Sequence, residues 1–112
     1  MALPPLNDTI AAIATAPGVG AVGIIRLSGK DAYSIADNLF KPRQGKAVKD
    51  LPPGRVVYGQ VVDNGNIIDE ALLLTFRAPH SYTAQDVLEF QTHGGPAVLR
   101  EVLELCVKHG AR

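Results

Sequence analysis

Residues 55–76, RVVYGQVVDNGNIIDEALLLTF, decide the fold, because two strand-like runs lie on either side of one tight turn. Residues 55–62 and 67–76 are rich in β-branched and other apolar side chains, and Asp63-Asn64-Gly65-Asn66 separates them. Asparagine and glycine both tolerate the positive φ that a two-residue hairpin turn requires. The stretch therefore predicts an antiparallel β-hairpin.

Three further runs have strand character. Residues 9–15, TIAAIAT, form an apolar run that predicts a buried strand. Residues 24–27, IIRL, predict a second strand that stops at Ser28-Gly29. After the hairpin, residues 87–91, VLEFQ, alternate between apolar and polar side chains, which is typical of a half-buried strand.

Two segments change to the period of a helix. In the first, the apolar residues recur at the spacing of one helix face, and Pro42 ends the helix. The second opens at His93-Gly94-Gly95-Pro96, and Gly110 lies where a C-terminal cap belongs. The apolar faces are Ala32, Ile35, Ala36, Leu39 and Phe40 in the first helix, and Val98, Leu99, Val102, Leu103, Leu105 and Cys106 in the second.

The segments that remain, residues 41–54 and 77–83, are interpreted as loops, the first of them exposed. The predicted order is β-β-α-β-β-β-α. It indicates an α/β sandwich of the α+β type, with a mostly antiparallel sheet and two main helices.

Composition limits the possible functions. The 112 residues suit one domain, and 11 basic residues balance 11 acidic ones, which argues against non-specific nucleic-acid binding by this domain alone. A single cysteine excludes an internal disulfide and a cysteine-based zinc site, and it favours a reducing, cytoplasmic compartment. No apolar run reaches membrane-spanning length, and the N-terminus lacks the regions of a signal peptide.

Two glycine patterns are candidates for phosphate-binding loops. Gly18-Val19-Gly20-Ala21-Val22-Gly23 has the letters G-x-G-x-x-G, but a strand rather than a helix is predicted to follow, so a dinucleotide site is rejected. The glycines form a turn between strands, or they allow a ligand to approach the backbone. Gly29-Lys30 is followed by Asp31, so no Walker A motif is present and no nucleoside triphosphate is expected to bind.

Arg26 and Glu89 each interrupt an apolar strand, and a charge there needs a partner, a ligand or a route to water. For Arg26, solvent exposure or pairing is as good an explanation as a ligand, and for Glu89 the pattern favours a solvated strand face over a ligand contact. His93 at a helix start is interpreted as a structural cap or a ligand contact, and no metal site or catalytic nucleophile is expected. The basic residues Lys41, Arg43, Lys46 and Lys49 either contact nucleic-acid phosphates or form a solvated loop, whose positive charge Asp50 reduces.

Taken together, several motifs in order resemble the N-terminal domain of the MnmE (TrmE) family of tRNA-modification GTPases. The resemblance runs from about residue 8 to Arg112. Its motifs are DTIAAIAT (8–15), Pro17-Gly18, GIIRLSG (23–29), Ile68-Asp69-Glu70, FRAP (76–79), Ser81-Tyr82-Thr83, DVLE (86–89) and His93-Gly94-Gly95.

The resemblance implies that residues 1–112 are a tetrahydrofolate-binding, dimer-forming domain similar to folate-dependent aminomethyltransferase domains. The ligand would be 5-formyl- or 5,10-methylene-tetrahydrofolate. The whole family protein is a cytoplasmic GTPase, a hydrolase acting on GTP, with helical and GTPase domains that this chain lacks. GTP, Mg²⁺ and K⁺ belong to the missing GTPase domain. With the flavoprotein MnmG, the homodimer modifies C5 of the wobble uridine in tRNA. The alternative is a dimerisation module without retained folate binding.

The resemblance also assigns the folate contacts. The family arginine before Ser-Gly corresponds to Arg26, and the family glutamate before His-Gly-Gly corresponds to Glu89. We therefore expect both to lie on neighbouring strands and to face one common pocket, with the turn of residues 17–23 and the His93-Gly94-Gly95 turn at its rim. The sequence departs from the family pattern at Val19, where an arginine is usual, and at Ala84-Gln85, where Gly-Glu is usual. A lysine-bearing strand segment of the family lies beyond Arg112, so the resemblance leaves the completeness of the folate site open.

Overall fold

The computed structural model describes residues 8–14, 23–77, 85–93 and 95–112. The strands of these residues form one sheet in the order β1-β2-β6-β5-β4-β3, with every neighbouring pair antiparallel. The sheet and its two α-helices confirm the predicted fold class. The elements are β1 (Ile10–Ile13), β2 (Gly23–Ser28), α1 (Ala32–Leu39), β3 (Phe40–Pro42), a 3₁₀ helix (Val48–Asp50), β4 (Val56–Asp63), β5 (Asn66–Phe76), β6 (Val87–Thr92) and α2 (Gly95–Lys108).

The predicted hairpin is confirmed as β4 and β5. Asp63 pairs with Asn66, and between them Asn64 and Gly65 have φ angles of 50° and 85°. Positive φ at both central residues is the requirement of a type I′ turn, whose twist matches that of the strands. The turn therefore sets the register of the first two residue pairs, and a β-bulge between Val61 and Val62 shifts the pairing of the rest by one residue.

The core lies on one face of the sheet, beneath both helices. Ile25, Leu27, Leu73, Leu88 and Phe90 are each 0 % exposed and pack with the helices in one apolar cluster. The predicted apolar faces of α1 and α2 supply the other side of this cluster. Because side chains alternate along a strand, every second residue of the central strands is committed to this face.

The end of α2 ties the helix to the sheet. Gly110 has a φ of 117°, its N–H donates to the Val107 oxygen, and the Ala111 N–H donates to the Cys106 oxygen at 2.9 Å. These two bonds form a Schellman cap, as the glycine predicted. Arg112 then donates to the Thr9 oxygen at 2.9 Å and accepts from the Ala11 N–H at 3.0 Å. The outer edge of β1 is thus partly hydrogen-bonded.

Two sequence predictions were wrong at the edges of the sheet. The strand expected to be buried is the edge strand β1, whose Ile10 and Ile13 are 41 % and 45 % exposed. Phe40, assigned to the first helix, lies in β3 but is 1 % exposed, with its ring 5.9 Å from that of Phe90. A strand edge has neighbours on one side only, which the apolar composition of a run does not reveal.

The segment 41–54, predicted as an exposed loop, contains the end of β3 and the 3₁₀ helix instead. Pro42 fits an edge strand because an outward-facing position needs no N–H donor. Gly59 on β4 permits β3 to approach, since a Cβ there would collide with the backbone oxygen of Lys41. The loop prediction missed these elements because they form through contacts with residues distant in sequence, such as the pairing of β3 with β4.

Candidate ligand site on the open face of the sheet

The face of the sheet opposite the helices is here called the open face, because neither described helix packs on it. Its central residues come from four adjacent strands. They are Ile24 and Arg26 of β2, Glu89 and Gln91 of β6, Leu72 and Leu74 of β5, and Val56 and Tyr58 of β4. This face differs from the core in being partly exposed, with Val56 at 64 % and Tyr58 at 39 %.

Arg26 and Glu89 meet at the centre of the open face. They are directly opposite each other in the antiparallel register of β2 and β6. The Arg26 Nε and Nη2 atoms both donate to the Glu89 Oε2 atom, at 2.8 Å and 2.6 Å. The prediction that both residues lie on neighbouring strands and share one face is confirmed.

This contact decides between the two simpler interpretations of Arg26 and Glu89, which were mutual pairing and exposure to solvent. The Glu89 side chain is 7 % exposed, so the interpretation of Glu89 as a solvated strand residue was wrong. The Arg26 side chain is 38 % exposed and pairs with Glu89. A buried carboxylate is stabilised only with a partner of this kind, and the guanidinium of Arg26 provides it while keeping a route to solvent.

The geometry leaves hydrogen-bonding capacity on the carboxylate. Both Arg26 donors reach Oε2, and within residues 8–14, 23–77, 85–93 and 95–112 no donor contacts Oε1. A carboxylate has about four lone-pair positions. Leu74 lies opposite Glu89 on β5, and Ala12 lies opposite Arg26 on β1, so apolar side chains flank the pair on both sides. A flat polar ligand could donate hydrogen bonds to the open oxygen of the carboxylate and pack against the apolar side chains beside it.

One rim of the site is formed just before β6. The Ser28 hydroxyl donates to the Gln85 side-chain oxygen at 3.2 Å, which connects β2 to the segment that leads into β6. Gln85 is one of the departures from the family pattern, so this position retains a polar contact with the sheet. Sequence reasoning missed the contact because no pattern in either segment identifies Ser28 and Gln85 as partners.

The Arg77 guanidinium lies 3.6 Å from the Asp86 carboxylate and 3.7 Å from the centre of the Tyr33 ring. Burial raises the pKa of Tyr33 above its ordinary value, and the charge of Arg77 opposes this shift. Arg77 therefore links the end of β5 to α1 and to the start of β6.

The prediction that the glycine pattern of residues 18–23 does not open a helix is confirmed at Gly23, the part of the pattern that the structure describes. Gly23 opens the strand β2 rather than a helix, as the rejection of a dinucleotide site required. A Cβ at Gly23 would lie 2.8 Å from a methyl carbon of Leu99, so the glycine permits α2 to pack against β2. His93 is exposed. The remaining predicted rim, Pro17 to Val22 with Gly94, lies outside the described residues, as do Val19 and Ala84.

The described residues contain no group of three histidine, cysteine, aspartate or glutamate side chains that could hold a metal ion. Cys106 is buried, and burial raises the pKa of its thiol to about 12. The described helices include none that is both long and apolar enough to cross a membrane.

Comparison with known proteins decides the family. The family described as GTP-binding protein TrmE N-terminus matches residues 9–112. The chain belongs to this family. It is similar to a tRNA modification GTPase MnmE of Thermus thermophilus, with 54 % identity over 109 residues that cover 96 % of this chain and 24 % of the relative.

Two other relatives give the same result. The tRNA modification GTPase MnmE of Symbiobacterium thermophilum is 50 % identical over 107 residues, covering 95 % of this chain and 23 % of the relative. That of Clostridioides difficile is 46 % identical over 107 residues, covering 96 % and 23 %. The chain thus spans about a quarter of the length of the curated relatives that it matches.

Proposed function

We propose that the chain binds a reduced, one-carbon-bearing tetrahydrofolate on the open face, with Glu89 and Arg26 as its principal contacts. The observation that carries the proposal is the buried Glu89 carboxylate, which Arg26 engages through one oxygen only. A carboxylate in this environment is costly unless its remaining acceptor positions are also used. A ligand with adjacent donors would use them.

The chemistry of a pterin ring meets this requirement. Its ring N–H and exocyclic amino group lie side by side and would donate to the Glu89 carboxylate at Oε1, the oxygen that Arg26 leaves open. The planar guanidinium of Arg26 would stack on the ring or donate to the oxygen of the one-carbon group. Removal of water by the ligand would strengthen both contacts. The candidate ligands are 5-formyl- and 5,10-methylene-tetrahydrofolate.

The proposal extends to the assembly. We infer that two copies of the chain form a homodimer. Support comes from the edge strand β1, where Ile10 and Ile13 are exposed, because exposed apolar surface and strand edges favour association. β1 pairs with β2, which carries Arg26, so the dimer contact and the ligand site would lie close together.

The activity of the whole protein is proposed from the relatives, which are named tRNA modification GTPases. In that setting the domain would supply folate to a cytoplasmic enzyme that modifies C5 of the wobble uridine of tRNA, together with a MnmG-type flavoprotein. GTP, Mg²⁺ and K⁺ would be bound by a GTPase domain outside the present chain, because no Walker A motif occurs within it.

Calorimetric titration of the chain with 5-formyl-tetrahydrofolate tests the proposal, and sedimentation of the same sample reports its oligomeric state. Saturable binding with one ligand per chain is expected. The second candidate function is a dimerisation module that has lost folate binding. The departures at Ala84 and Gln85 favour it. A dimer that gives no heat with the folate would establish this second function instead.

A further inference from the structure

Charge is distributed unevenly along the chain, although the net charge is zero. Residues 41–55, here called the basic edge, contain five basic residues and one acidic residue, Asp50. The rest of the chain has six basic and ten acidic residues. The basic residues of the segment are Lys41, Arg43, Lys46, Lys49 and Arg55. The neutral total therefore conceals a strongly positive segment beside an acidic remainder.

The five cations of the basic edge are all exposed. Every charged side chain of the protein lies within the described ranges, and the four ion pairs found there involve Arg26, Arg77, Lys108 and Arg112. None involves a cation of the basic edge. Positive charge that is neither buried nor paired inside the protein is available to an anionic partner.

The backbone of the basic edge is held in place. Val48 and Leu51 are buried in the core, and the Val48 N–H donates to the Asp37 carboxylate at 2.7 Å. Arg77 donates to the Lys49 backbone oxygen at 3.0 Å, and the Arg55 N–H donates to the Thr75 hydroxyl at 3.0 Å. The cations thus project from a fixed scaffold, which reduces the entropy lost when they bind.

An aromatic side chain accompanies the charges. The Arg43 guanidinium lies 5.7 Å from the centre of the Tyr58 ring, and Tyr58 is 39 % exposed. Both line an open cleft together with Lys41, Gln60 and Glu70. Cations that contact phosphates, beside an exposed aromatic or arginine plane on which a base can stack, are the elements of a nucleic-acid surface.

We propose that the basic edge binds the sugar–phosphate backbone of a folded RNA of the tRNA class. The proposal rests on the tRNA part of the proposed function and is independent of folate binding. An anionic membrane surface would also attract these charges. RNA is favoured because the apolar side chains of the 3₁₀ region, Val48 and Leu51, are buried in the core rather than exposed for insertion among lipids.

The test measures the anisotropy of fluorescently labelled tRNA mixed with the chain at a series of KCl concentrations. Lys46→Gln/Lys49→Gln removes two cations of the basic edge. Lys30→Gln/Arg100→Gln is the matched control, because both of its residues are exposed and belong to none of the four ion pairs. Circular dichroism checks that each variant keeps its fold.

Affinity of the parent should fall as salt rises, because each phosphate contact releases condensed counterions. The Lys46→Gln/Lys49→Gln variant should lower the slope of log affinity against log salt by about 2, and weaken binding at low salt by about tenfold. The control should match the parent.

The proposal is overturned if the parent does not bind tRNA at the lowest salt, or if the two double variants behave alike. It is also overturned if phosphatidylserine vesicles, but not tRNA, bind in a Lys46- and Lys49-dependent manner. A folate titration of the same samples keeps the two proposals separate, because the basic-edge variants should leave folate binding unchanged.

Discussion

The two faces of the sheet carry different kinds of residue on the same strands. In β6, Leu88 and Phe90 are 0 % exposed beneath the helices, whereas Glu89 between them faces the other side and pairs with Arg26. Alternation with a period of two residues places neighbouring residues on opposite faces. One face stabilises the fold through apolar packing, and the other combines partly exposed apolar side chains with the Arg26–Glu89 pair. Adjacent residues should therefore respond to substitution in different ways.

The largest expected effect concerns Cys106 on the covered face. Burial raises the pKa of its thiol to about 12, so in the folded chain very little nucleophilic thiolate is present at pH 8. Alkylation by iodoacetamide should be slower than in denaturant by about three to four orders of magnitude, the factor that a stability near 5 kcal/mol allows. Mass spectrometry measures both rates. Alkylation at comparable rates in the two conditions would show that α2 does not cover the sheet as described.

Phe90→Ala should be the most destabilising substitution of those considered. The side chain is fully buried and contacts the Phe40 ring, so its removal leaves a cavity and costs about 3–5 kcal/mol of unfolding free energy. Urea denaturation measures the loss. Val56→Ala on the open face is the control, since Val56 is 64 % exposed, and it should cost less than about 1 kcal/mol. Equal losses of unfolding free energy in Phe90→Ala and Val56→Ala would contradict the proposed difference between the two faces.

Arg26→Ala should have an intermediate effect. It leaves the Glu89 carboxylate buried without the guanidinium, and the penalty is moderated because Arg26 is partly exposed, so we expect a loss of about 1–3 kcal/mol. Adding Glu89→Gln to Arg26→Ala should restore part of this stability, because it removes the buried negative charge that Arg26→Ala leaves without its guanidinium partner. Additive losses in the double-mutant cycle would mean that the two side chains are not coupled.

Lys108→Gln should have the smallest effect. Lys108 pairs with Asp63 at 2.9 Å, a distance similar to that of the Arg26–Glu89 pair, but both partners are considerably exposed. Exposed pairs gain little because water screens them, so the expected change in unfolding free energy is under about 0.5 kcal/mol. A loss as large as that of Arg26→Ala would indicate that burial is not what distinguishes the two pairs.

Local sequence signals predicted the elements whose geometry is local. The Asn64-Gly65 turn, the apolar faces of the helices and the Gly110 cap are each determined by residues a few positions apart, and all are confirmed. The exposure of β1 and the existence of β3 depend on which strand lies at an edge. That order is set by contacts between residues distant in sequence, so apolar composition misjudged Ile10, Ile13 and Phe40.

The candidate site was predicted in part. Both Arg26 and Glu89 were identified as charges in apolar strands, and the family resemblance linked them. Their mutual pairing was one alternative among several, because only the β2–β6 register places them opposite one another. The same register explains why the Ser28–Gln85 contact was missed. Patterns within one strand reveal an unusual residue, but its partner lies on another strand.

The most direct test of the proposed site compares Glu89→Gln with Glu104→Gln in calorimetric titrations with 5-formyl-tetrahydrofolate. Glu104 is an exposed carboxylate on α2, on the helix-covered side, so its loss removes the same charge away from the site. Glu89→Gln replaces one acceptor oxygen with a donor that a pterin amino group cannot use, and should cost about 1–3 kcal/mol, equivalent to about 5- to 150-fold in Kd. Glu104→Gln should bind as the parent does. Parent-like affinity in Glu89→Gln, while the parent itself binds, would contradict the assignment of Glu89 to the ligand.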